Sequence, residues 1–286
     1  MTTRRAYDLA LLAALAVSVL LYLVPQFFFV RQSLYGNLGM GQIGTELTLA
    51  NYKTLLTDRF YLQAFVRTLA LSGAATIAGL LIAAPTAYFL ARLRAAWVRW
   101  LIVLLLISSF VSIVVKVLGL TMLLGNNGPI PAALRMLTGG WWSASLLNNG
   151  TAVVIGLVQY TLPLLVMLLF GVIQNIPASL EEAALVHGAS DWRLVRRVLL
   201  PLAWPGLVTA GLISFNMNMG AFTSAVLLGG GNVLTLPVLI QRKMILEVDY
   251  PTAAALSVLL TLAVVIINLV ALALPSNRAS TIEVAA

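Results

Sequence analysis

Charge is what this sequence has least of. Only 9% of its 286 residues are Asp, Glu, Lys or Arg, against about 25% in an ordinary soluble domain. A soluble fold of this size cannot cover its surface with so few charges. A water-soluble enzyme, a disordered regulator and a nucleic-acid binder are therefore close to excluded. Cysteine is absent, which rules out disulfides, iron–sulfur clusters and thiolate metal sites. The single histidine, His187, cannot build a metal site without outside ligands. There is no Walker A pattern, because Gly229-Gly230-Gly231 is not followed by Lys-Ser/Thr. No nucleophile–base pair stands out either, so the chain reads as no enzyme and as needing no cofactor of its own.

Apolar residues fill the space that charge leaves. They make up 61% of the chain, and mean hydropathy is +1.00. A membrane-crossing helix needs about 20 mostly apolar residues, so the length allows about six. The expectation is an all-α integral membrane protein, one transmembrane domain over residues 1–286. Spans are expected near 7–30, 62–91, 98–124, 149–173, 202–228 and 251–274. The first run is too long for a signal peptide and lacks a small-residue cleavage pattern, so it reads as an uncleaved span. Between spans lie a glycine-rich polar stretch (31–61), a loop with Trp141-Trp142 suited to a membrane boundary, and the stretch 229–250. The net charge of +8 fits basic residues that flank membrane helices and face anionic lipid. Six spans put both termini on one side, and that side carries nine Lys/Arg against seven opposite. The difference favours cytoplasmic termini.

Residues 174–201 hold six of the 26 charged residues. Ser179 and Glu182 have capping-box spacing, so a helix is expected to start near Leu180. Leu180, Ala183, Ala184 and His187 then share one face. Gly188 is placed to close the helix in the left-handed conformation. Ser190 or Asp191 can cap a second short helix with Trp192, Val195 and Leu199 on one face. Pro201 and Pro205 are expected to mark where the next span starts.

This segment resembles the EAA loop of binding-protein-dependent ABC importer permeases of the MetI-like type I fold. Glu182-Ala183-Ala184, Gly188, Val198 and Leu200-Pro201 stand at the family spacing. The wider resemblance covers about residues 50–272, including Asn51-Tyr52, Ala87-Tyr88 and Leu236-Pro237, and it places the core permease region at about 62–274. The stretches Met219-Gly220-Ala221-Phe222 and Asp249-Tyr250-Pro251 look like the spermidine/putrescine-type first permease subgroup. The resemblance implies a bacterial cytoplasmic (inner) membrane protein. Its implied partners are an ABC ATPase dimer that binds the ATP, a second permease chain, an extracytoplasmic solute-binding protein and membrane lipid. It also implies that Glu182, Ala183, Ala184, Gly188, Leu200 and Pro201 couple the permease to the ATPase.

Within the spans, Lys116, Gln159, Ser214, Asn216 and Asn218 are candidates for a solute path, with helix–helix hydrogen bonding as the plain alternative. Apart from Asp8 at the very start of the first, no Asp or Glu falls inside a span. That weighs against the rival reading, a stand-alone secondary transporter or other polytopic membrane protein not driven by an ATPase, because an ion-coupled carrier would use intramembrane carboxylates.

Overall fold

The computed structural model describes residues 2–93, 95–139 and 145–273. Trp141-Trp142 and Arg278 lie outside the described residues, as does the end of the sixth span. Among the described residues, six helical stretches are long and apolar enough to cross a membrane: Ala14–Ser33, Arg59–Arg92, Ile113–Leu137, Gly150–Gln174, Asp191–Met219 and Tyr250–Ala271. The chain divides into two compact units, residues 2–64 with 236–265, and residues 65–235 with 266–273.

The first unit holds α1 (Thr2–Ser33), the hairpin β1 (Tyr35–Gly39) and β2 (Gln42–Leu47), α2 (Ala50–Thr57), α12 (Leu236–Gln241) and the larger part of α13 (Tyr250–Ala273). The polar stretch 31–61 is thus partly β structure, pairing Tyr35 with Leu47 and Asn37 with Ile43. Its turn needs left-handed backbone at Gly39, Met40 and Gly41. The Asn51-Tyr52 pair ties this unit together. Asn51 Nδ2 donates to the carbonyls of Ser33 and Tyr35 at 2.9 and 2.8 Å, and the Tyr52 hydroxyl meets Ser33 Oγ at 2.6 Å.

The second unit holds most of α3 (Arg59–Arg92), then α4 (Ala95–Phe110), α5 (Ile113–Leu124) and α6 (Pro129–Leu137). It continues through α7 (Gly150–Gln174), α8 (Ala178–Val186), α9 (Asp191–Leu194), α10 (Leu200–Met219) and α11 (Thr223–Gly229). Its core packs Ala83, Ala87 and Leu90 of α3 against Leu165, Val166, Leu169 and Ile173 of α7 and Ala210 of α10. Lipid tails are as apolar as leucine, so close packing rather than water exclusion holds such helices together. The alanines and Gly206 permit it. A Cβ on Gly206 would stand 2.5–3.0 Å from the Val172 side chain, so α10 lies directly on α7.

Two expected spans are corrected. The run 98–124 is not one helix: it breaks at Val111-Ser112, where Ser112 is extended with ψ 134°. The run 202–228 breaks after Met219, where the Ala221 N–H turns back to the Asn218 carbonyl at 3.1 Å. In both, apolar composition persists through a backbone turn, so hydropathy alone does not register the break.

Candidate functional site

The charged segment 174–201 forms a helix–turn–helix, but its details differ from the sequence expectation. α8 starts at Ala178 with Pro177 as N-cap and no side-chain cap bond, so the Ser179–Glu182 capping box is not used. Proline supplies the extended N-cap backbone instead. The C-terminal expectation is met. Gly188 has φ +76°, its N–H bonds the Leu185 carbonyl at 2.9 Å, and the Ala189 N–H bonds the Ala184 carbonyl at 3.0 Å. These two bonds are a Schellman turn, which satisfies carbonyls the helix end leaves open.

The second arm is not a separate short helix. From Asp191 the chain runs helically to Met219, with Val195–Leu199 wound as a π turn in which the Leu200 N–H reaches the Val195 carbonyl. The widened turn lies where the Pro201 ring would crowd the Arg197 carbonyl of a regular helix. Pro201 and Pro205 therefore do not interrupt the helix. The extra residue in the turn also shifts the face. Leu194 and Leu199, five apart, both enter a buried cluster with Ile176 and Ala203. Trp192, expected to share a face with Leu199, is instead 70% exposed while Leu199 is buried.

The two adjacent carboxylates of α8 diverge, as a step of about 100° per residue requires. Glu182 is exposed, as are Ala183, Gly188, Leu200 and Pro201, while Ala184 is half-buried against the Ile176 cluster. Glu181 is the one buried residue of α8. Its Oε1 accepts from Arg92 Nε at 2.9 Å and also from Arg92 Nη2. Its Oε2 accepts from the Tyr88 hydroxyl at 3.0 Å. Arg92 Nη2 donates further to the Ile176 carbonyl at 3.2 Å. Side-chain exposures of 24% for Arg92 and 11% for Glu181 make this a largely dehydrated pair; removing one member of such a pair typically costs about 3–5 kcal/mol. Sequence reasoning passed over this contact. The available signal was the Ala87-Tyr88 and Arg92 end of one span facing a doubled carboxylate.

The expected solute-path residues separate into groups. Ser214 and Asn218 are brought together: Asn218 Nδ2 donates to Thr76 Oγ1 at 3.3 Å and Ser214 Oγ at 3.4 Å. Thr68, Ser72 and Thr76 form a buried stripe along α3, and Asn218 Oδ1 has no hydrogen-bond partner among the described residues. Asn216 instead pairs reciprocally with Asn268, both bonds 3.1 Å, the plain helix–helix role. Gln159 is exposed on α7 and Lys116 half-buried on α5. Beside the Thr76 stripe opens an apolar groove of about 370 Å³ lined by Gly73, Thr76, Trp204, Gly211 and Phe215 among others. Among the described residues no cluster of His, Asp or Glu could hold a metal ion.

Comparison with known proteins adds to this geometry. The family described as binding-protein-dependent transport system inner membrane component matches residues 75–277. The spermidine/putrescine transport system permease protein PotB of Haemophilus influenzae is 31% identical over 241 residues, covering 84% of this chain and 83% of that protein. PotB of Escherichia coli is 30% identical over 244 residues, covering 85% and 88%. Among solved structures, a bacterial ABC transporter that imports alginate aligns with TM-score 0.76 and 18% identity over 94% of both chains. The methionine transporter MetNI, in an inward-facing conformation, aligns with TM-score 0.56 and 21% identity over 75% of this chain and 96% of that one.

Proposed function

This chain belongs to the family of binding-protein-dependent transport system inner membrane components, and from that premise we propose how it is driven and what it carries. It is the membrane-spanning permease subunit of an ABC importer, an inner membrane protein with several helical spans. The rival of a stand-alone carrier is not retained. The coupling site is α8 with its Gly188 turn. It docks on a separate ATPase dimer, which binds the ATP, so this chain needs no cofactor. The observation that carries this reading is the placement of Glu182 and Ala183 on the exposed side of a helix whose other side is fastened to the permease. Leu200 and Pro201 pass the movement into α10. Both termini are cytoplasmic in this reading. A second, distinct permease chain completes the path, and an extracytoplasmic binding protein delivers solute.

The solute is a small polyamine-type molecule. Support comes from the PotB relatives. Further support comes from the neutral oxygen acceptors of Thr76, Ser214 and Asn218, which suit ammonium groups. The test substitutes Glu182→Ala and Gly188→Val in the assembled importer. ATPase co-purification and ATP-driven uptake of radiolabelled spermidine should both fall. Unchanged uptake in both variants sinks the coupling assignment. Uptake of other solutes but not polyamines sinks only the solute.

A further inference from the structure

The coupling loop has two attachments to the membrane helices, and they differ in kind. Toward α10 the attachment is covalent, since the helix runs unbroken from Asp191 through the π turn. Toward α3 it is not. Glu181 is the one buried residue of α8, and it is held by Arg92 and Tyr88 of α3. The Tyr88 ring also packs on the Ile176–Leu194–Leu199–Ala203 cluster, and the Arg92 guanidinium lies 5.9 Å from that ring's centre. α3 is 34 residues long, about 50 Å at 1.5 Å per residue, and Arg92 is its last residue. Sixteen positions before it stands Thr76, bonded to Asn218, about 24 Å up the same helix. Whatever moves Arg92 therefore acts on the end of a lever that carries the polar stripe.

We propose that the Arg92–Glu181 pair, aligned by the Tyr88 hydroxyl and the Ile176 carbonyl, is the link through which the coupling loop drives α3, while α10 is driven through the chain itself. Arg92 and Glu181 are positioning residues in this assignment; neither touches ATP or solute. A dehydrated ion pair is a poor way to gain stability, since apolar residues of like size hold as well or better. It is a good way to hold two helices in one orientation. Four polar contacts converge on a single carboxylate and a single guanidinium, so α8 cannot rotate or slide without carrying the end of α3. This assignment rests on the reading of residues 174–201 as the coupling loop.

The experiment uses the complete importer reconstituted in liposomes. Arg92→Ala and Glu181→Gln should lower ATP-driven uptake about tenfold or more, within the range of measured coupling effects, while the ATPase subunit still co-purifies and hydrolyses ATP. Arg92→Lys keeps the charge but not the forked geometry and should recover part of the uptake. The chain has no cysteine of its own, so the double variant Arg92→Cys/Glu181→Cys can be joined by a short bis-methanethiosulfonate cross-linker. Cross-linking should restore uptake, and reductant should abolish it again. A merely structural pair would not respond in this way. Unchanged uptake in Arg92→Ala overturns the proposal. So does loss of the ATPase subunit from that variant, or failure of the cross-link to restore transport. If Glu182→Ala and Gly188→Val also leave uptake intact, the coupling-loop reading falls as well; if they abolish it, only the α3 link is wrong.

Discussion

A φ of +76° at Gly188 costs an ordinary L-residue about 1–2 kcal/mol, and asparagine less. Among the described residues, nothing beyond the adjacent chain lies within 4 Å of where a Cβ would stand, so the penalty is backbone strain and not a clash. Gly188→Asn should therefore keep most of the uptake that Gly188→Val loses, measured side by side. Equal loss in both would point to a steric demand from a partner instead. A second residue-scale prediction concerns Glu247, in the first unit. Lys243 Nζ meets its carboxylate at 2.6 Å and Arg242 Nε at 3.1 Å. The hydrogen bond from Lys243, with the nearby positive charge of both bases, holds the Glu247 carboxyl below its usual value. A depressed carboxyl contributes stability above the ordinary glutamate value of about 4.3 and loses it as pH falls through the lower folded value. Amide protection at residues 242–249, taken relative to the intrinsic exchange rate at each pH, should be level from neutral pH down to about pH 5 and fall below about pH 4. Glu247→Gln should remove that acid step; an unchanged step would show that another group governs it.

At the scale of elements, the π turn and the close helix crossing matter most. Gly206 lets α10 lie on Val172 of α7. Gly206→Ala should overpack that crossing at about 1–3 kcal/mol and lower the melting temperature in detergent by several degrees. Gly206→Ala/Val172→Ala should recover it, and a failure to recover would mean the contact is not the cause. Six spans and a charged helix–turn–helix were legible in the sequence, because hydropathy and the left-handed glycine are local properties. The breaks at 111–112 and 220–222 were not, since their residues are apolar or small and the turn is a backbone event. Nor was the direction of Trp192. Periodicity assumes a regular helix, and the extra residue in the π turn, which follows Trp192, turns Leu199 away from the face that Trp192 occupies.

For the whole molecule, scarce charge in the membrane body and a charged loop between α7 and α10 give a test of orientation. A single cysteine replacing Ser190 should react with an impermeant thiol reagent only from the cytoplasmic side. One replacing Met40, fully exposed on the hairpin turn, should react only from outside. The natural chain gives no background, having no cysteine. The reverse pattern would overturn both the orientation and the docking of α8 on an ATPase.

Composition and local pattern determined the class of this protein. A chain with 9% charge and 61% apolar residues must lie in lipid, and the spacing from Glu182 to Pro201 carries the family resemblance on which the proposed coupling role rests. What the tertiary structure decided is which neighbour each polar group finds. Glu181 and Glu182 are chemically identical and adjacent in sequence, yet one grips Arg92 and the other faces out. Asn216 and Asn218 differ likewise, one paired to Asn268 and one to Thr76. A side chain's partner depends on which helices meet and at what rotation. That rotation is set by packing between Arg92 and Glu181, 89 positions apart in the chain, not by the residues on either side.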